Sequence, residues 1–161
     1  MTSRSRLANE AWEAYFRTQA TLVREFAEAD IWRGLQSTEY AVMLALAGEP
    51  EGLRITQLGE DVLITQAGMS RLILRLEKRG IVQRVADTAD GRAQRVRLTS
   101  SGLALQRQVG RDVARRITTV MTRALDDTQL VALRDLSLTM LAHAPGPAAE
   151  VQQRILAKGR R

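Results

Sequence analysis

The feature that most constrains this chain is a change of period at Gly80. From Thr65 to Arg79 the apolar residues Met69, Leu72, Ile73 and Leu76 recur at helical spacing, the last three within about 60° of Met69 on a wheel. Thr65 stands where an N-cap belongs, and Gly80 stands where a left-handed residue commonly ends a helix. Beyond Gly80 the period shortens to two. Ile81–Ala86 and Gln94–Leu98 are short β-prone runs separated by Asp87-Thr-Ala-Asp-Gly-Arg92, and Val96 and Leu98 alternate with Arg95 and Arg97. A helix followed by a two-stranded wing with one basic face is expected.

The flanking segments are helical. Thr56 is the expected N-cap of a brief helix that buries Leu58 and Val62, with Ile55 in a short strand before it. A short helix, a tight connection and a longer basic helix make a helix-turn-helix candidate. Upstream, Ala8, Trp12, Tyr15, Leu22, Val23 and Phe26 mark a long amphipathic helix from Leu7 to Trp32; after Gly34, a second helix capped by Ser37 runs through Val42, Met43 and Leu46 to Gly48. Downstream, Thr99 or Ser100 caps a helix whose stripe Leu105, Val109, Val113, Ile117 and Met121 is too long for the small wing region to cover. A last helix, Asp126 to His143, turns Leu130, Leu133, Leu136, Met140 and Leu141 inward, and Pro145 and Pro147 end the ordered part.

The helix face opposite the apolar stripe carries the chemistry. It holds Ala67, Ser70, Arg71, Leu74, Arg75 and Lys78, with Thr65 and Gln66 at its start. Small residues permit close approach to base edges, arginines fork onto guanine or clamp phosphate, Gln66 suits adenine, and Ala67 or Leu74 can touch thymine methyls. Between Thr65 and Leu98 eight basic residues stand against three acidic ones; the tail from Pro145 adds a surplus of three, and the remainder of the +6 chain is net negative. Charge is therefore local, as a phosphate-facing surface requires. A solvated basic face, a non-specific architectural DNA binder and a winged protein-interaction module are the competing readings. Base-reading side chains favour sequence-specific binding of double-stranded DNA.

Composition closes other routes. The 161 residues, 45% of them apolar, suffice for one good core. The absence of cysteine excludes disulfides, thiolate zinc sites and thiol redox sensing. The longest apolar run, Tyr40 to Ala47, is far short of the roughly 20 residues that a membrane span needs, and no signal-peptide core opens the chain, so a cytoplasmic protein without a membrane partner is expected. One histidine, His143, builds no metal site, and no nucleophile–base pair points to an enzyme or a cofactor.

These residues resemble the MarR-type winged helix-turn-helix regulators. The likeness runs through Ile55-Thr-Gln-Leu-Gly59, Met69-Ser-Arg-Leu-Ile-Leu-Arg-Leu-Glu-Lys-Arg-Gly-Ile-Val82, Asp90-Gly-Arg92 and Val96-Arg-Leu-Thr-Ser-Ser-Gly102. It implies a mainly α fold: a winged lobe over 35–102, dimerisation helices at 1–34 and 103–144 interlocking in a homodimer, and a flexible basic tail at 145–161. It also implies that Arg92 enters the minor groove while Asp90 orients the wing, with Arg84, Arg95 and Arg97 gripping phosphates. Gly91 stands where members often carry arginine, and Leu74 where they are often polar. A repressor role on a pseudo-palindromic operator is what the resemblance implies, as is release by a small aromatic or phenolic effector. Trp12, Tyr15 and Arg17, with Tyr40 and Met43, are the effector-site candidates; packing is the alternative role for the aromatics.

Overall fold

Local hydrogen bonding starts the first helix: the Thr2 hydroxyl accepts from the Ser5 amide at 3.3 Å, and α1 runs over Ser3–Ala27. In the computed structural model, which describes residues 2–62, 64–87 and 93–144, α1 ends five residues before the expected Trp32. The Trp32 indole explains this, because its Nε1 donates to the Phe26 carbonyl at 2.7 Å and fixes the chain in turns leading to Gly34 (φ +79°). No residue of α1 is buried, and Leu7, Trp12, Phe16 and Val23 are all exposed. The chain divides into two compact units, Met1–Ser37 and Thr38–Arg161.

The second unit holds the core. Its elements are α2 (Ser37–Ala47), β1 (Leu53–Arg54), α3 (Ile55–Val62), α4 (Gln66–Lys78), β2 (Val82–Ala86), β3 (Gln94–Leu98), α5 (Ser100–Thr122) and α6 (Asp127–Ala142). Met69, Leu72, Ile73 and Leu76 of α4 are buried as the wheel requires, alongside Val42, Met43 and Leu46 of α2, Leu58 of α3, Val82 and Val96 of the strands, and Val109 of α5. Val62 is only half-buried.

Two details depart from the sequence reading. Ile55 is the first residue of α3 rather than a strand residue, and Thr56 is not the cap. The Arg54 amide donates to the Gln57 side-chain oxygen at 3.0 Å, which starts the helix two residues earlier. The wing is also a three-stranded antiparallel sheet, ordered β1-β3-β2, with Leu53 opposite Val96 and Arg84 opposite Val96 on the other side. Gly52 (φ +81°) lets β1 join, since a Cβ there would lie 2.5 Å from the Val96 carbonyl oxygen.

The terminal helices differ too. The buried positions of α5 are Gly102, Gln106, Val109, Val113 and Val120, while Ile117 is exposed. Steps of four rotate a stripe by about 40° each, so alternating threes and fours keep a face inward and a run of fours does not. In α6 no residue is buried: Leu133, Leu136, Met140 and Leu141 face solvent and Leu130 is half-buried, contrary to the inward stripe expected.

Candidate nucleic-acid interface

Two short helices and a close turn aim α4. The Ile64 amide donates to the Gly59 carbonyl at 3.0 Å, and the Thr65 hydroxyl accepts from the Gly68 amide at 3.3 Å. A Cβ at Gly68 would stand 3.0 Å from the Ile64 side chain, so glycine lets this turn pack closely. With its apolar stripe buried, α4 presents Thr65, Gln66, Ala67, Arg71, Leu74, Arg75 and Lys78 to solvent, and Ser70 half-buried beside them. This is the face read from the sequence, and it is one continuous surface.

Its cations fall into two groups. Among the described residues Arg71 and Lys78 form no ion pair, whereas Arg75 and Arg79 both reach Glu39 of α2. The Glu39 side chain is only 5% exposed; Oε1 lies 3.6 Å from Arg75 Nε and Oε2 3.1 Å from Arg79 Nη1. In the wing, Arg84 is engaged by Glu77 at 3.2 Å. Arg95 lies 3.1 Å from the Asp87 carboxylate through Nε and donates from Nη1 to the Gly52 carbonyl at 3.1 Å. Arg54 completes this cluster, its Nε and Nη2 each 2.8 Å from Asp87 Oδ2. Arg97 is exposed, and the Gln83 amide, oriented with its oxygen inward, accepts from its Nε and Nη2 at 2.9 and 3.1 Å. That neutral partner leaves the charge uncompensated.

The wing root is fixed by Thr99, whose hydroxyl donates to the Gly80 carbonyl at 2.7 Å and accepts from the Gly102 amide at 3.0 Å. Asp90 and Arg92 lie outside the described residues, as does the tail at 145–161.

Comparison with known proteins gives the same answer as the geometry. Residues 33–93 match the model of the MarR family. The chain is 40% identical to the transcriptional regulator HosA of Escherichia coli over 68 residues, 42% of this chain and half of that relative's length. Among solved structures it is similar to the PcaV transcriptional regulator of Streptomyces coelicolor in complex with its natural ligand, with 28% identity, a TM-score of 0.61, and coverage of 88% and 94% of the two chains. It shares its fold with Sco3205, a MarR family regulator of the same organism in complex with DNA, at a TM-score of 0.76 and 24% identity, covering 94% of each chain.

Over residues 33–93 the chain is similar to the MarR family. Sequence reasoning found the outward cations but missed Glu39 and Asp87, the carboxylates that hold four arginines from below. Three of the four pairs span 33 to 40 positions, a separation to which periodicity is blind, and the fourth, Arg95 with Asp87, crosses from one wing strand to the end of the other. The effector candidates separate by environment. Trp12 and Tyr15 are exposed on α1 with ring centroids 6.2 Å apart, and Arg17 pairs with Glu13 at 2.7 Å. Met43 is wholly within the lobe core, and Tyr40 is buried against Gln106, burial raising its hydroxyl above the ordinary pKa of 10.0. Tyr40 therefore stays a neutral donor at physiological pH.

Proposed function

We propose that this chain is a sequence-specific, double-stranded DNA-binding transcription regulator, acting as a homodimer and as a repressor. The observation that carries it is the exposed face of α4, where small residues at the start and Arg71, Arg75 and Lys78 behind them surround no packing partner. A helix of this kind enters the major groove with its first turns against base edges, while the wing lies along the backbone. The DNA complex of Sco3205, a protein of the same fold, supports this docking. The described wing offers Arg97, and Asp90 and Arg92 complete its tip by resemblance.

Apolar surface supports the dimer. In the first unit Leu7, Trp12, Phe16 and Val23 of α1 are exposed, and in the second Leu133, Leu136 and Met140 of α6 and Ile117 of α5, each set more than single surface leucines account for. A second copy covering them places two α4 helices on one duplex about one helical turn apart. The regulator also responds to a small aromatic or phenolic compound; the ligand-bound PcaV relative supports this, and Trp12, Tyr15 and Arg17 are its exposed candidates.

The test is selection from a randomised duplex pool at near-physiological salt, followed by fluorescence anisotropy on the enriched sequence. Enrichment of a pseudo-palindrome is expected. Equal binding of enriched and scrambled duplexes overturns the reading in favour of a non-specific architectural protein. A thermal-shift screen of phenolic acids tests the effector, and no shift from any compound removes it.

A further inference from the structure

Glu39 lies outside the helix-turn-helix, yet both of its oxygens are turned to α4. Withdrawing a carboxylate from water costs several kcal/mol unless charge partners replace the lost hydration. Among the partners of Glu39 are Arg75 of α4 and Arg79 at the C-cap of that helix, four residues apart on one flank. They are not equivalent. Arg79 spends a terminal nitrogen on Glu39, with Nη1 at 3.1 Å. Arg75 instead meets Glu39 through Nε, at 3.6 Å, while 53% of its side chain stays exposed on the face shared with Arg71 and Lys78. The Arg75–Glu39 contact is thus an ion pair, longer than a hydrogen bond.

That difference matters for reading a base. A fork onto guanine O6 and N7 uses two parallel N–H groups, and an unrestrained arginine must give up rotamer entropy to present them. An ion pair with a buried carboxylate on the neighbouring helix limits the conformations of Arg75 before DNA arrives and so reduces that loss. We infer that Glu39 is a positioning residue for base recognition: from α2 it restrains Arg75 by charge so that the exposed part of the guanidinium reads a guanine. Resting on the DNA-binding role above, this names a base and the residue that reads it. It further assigns α2 a share in specificity without any contact to DNA.

The experiment uses the full chain and the randomised duplex pool, comparing wild type with Arg75→Ala, Glu39→Gln and Arg79→Met. Arg75→Ala should erase the preference for guanine at one position of each half-site. Glu39→Gln should weaken that same preference about tenfold, the scale of one bidentate contact, and leave the other positions unchanged. Arg79→Met, which keeps the Glu39–Arg75 pair, should preserve it. A loss of fold lowers binding to all sequences alike and so does not imitate a change confined to one position. If Glu39→Gln does not fold, Glu39→Asp asks the same question, since it keeps the charge but withdraws the carboxylate from Arg75 by one methylene. Retention of the guanine preference in Glu39→Gln, or in Glu39→Asp where it is used instead, overturns the inference. A uniform loss across all sequences in Arg75→Ala also overturns it, by making Arg75 a phosphate contact. Failure of the wild type to enrich any sequence refutes the DNA-binding role itself.

Discussion

Replacing Asp87 by alanine isolates the cluster at the base of the wing. The Asp87 carboxylate is fully buried and joins Arg54 of β1 to Arg95 of β3, so its removal leaves two guanidiniums without their shared anion. Breaking a fully buried pair costs about 3–5 kcal/mol. Here the arginine side chains are 42% and 28% exposed and can turn to water once released, which reduces the expected loss to about 2–3 kcal/mol. For a chain of this size that loss lowers Tm by about 5–10 °C. Urea denaturation at fixed protein concentration gives the value, and a cycle with Arg54→Met should return a coupling of about 1–2 kcal/mol. In DNA selection the Asp87→Ala protein should keep the base preferences of α4 while binding every duplex more weakly. A loss under about 0.5 kcal/mol, the range of ordinary surface substitutions, or strict additivity with Arg54→Met, refutes the assignment of Asp87 as the clamp.

Three further outcomes are expected. Gly102→Ala drives a Cβ to 2.0 Å from the Ile81 carbonyl oxygen, a backbone atom that cannot yield, and should cost about 3 kcal/mol in the same assay. Gly80→Ala, with φ of +69° and open space around it, should cost only about 1–2 kcal/mol. Leu136→Arg, at a site 66% exposed in the single chain, should leave the lobe folded by circular dichroism and shift the sedimentation profile to monomer; an unchanged dimer removes α6 from the interface. Leu74→Ala should weaken the enriched duplex several-fold and lose that effect when thymine is replaced by deoxyuridine, which lacks the methyl group; equal losses on both duplexes exclude a methyl contact.

The parts of the fold that obey local rules were legible in the sequence. Thr65 and Gly80 bound α4 as their chemistry dictates, Met69, Leu72, Ile73 and Leu76 supply its buried stripe, and the alternation of Val96 with Arg95 and Arg97 marks β3. Pairings between distant segments were not. β1 is two residues long, too short for any pattern, and exists because Gly52 admits it beside Val96. Among the site's cations, Arg84 and Arg95 look identical in sequence to Arg97, and only the placement of Glu77 and Asp87 sets them apart. The apolar stripe of α6 was visible, but its partner surface is not the lobe core, so its direction was misjudged.

The absence of any buried residue in α1 also bears on what holds that helix in place. Its 25 residues gain no burial from their own unit. Most helical stability in proteins comes from packing an apolar face rather than from propensity. Amide exchange along α1 should therefore follow the fate of whatever surface covers Trp12 and Phe16, while exchange in the lobe core follows the global stability of the lobe.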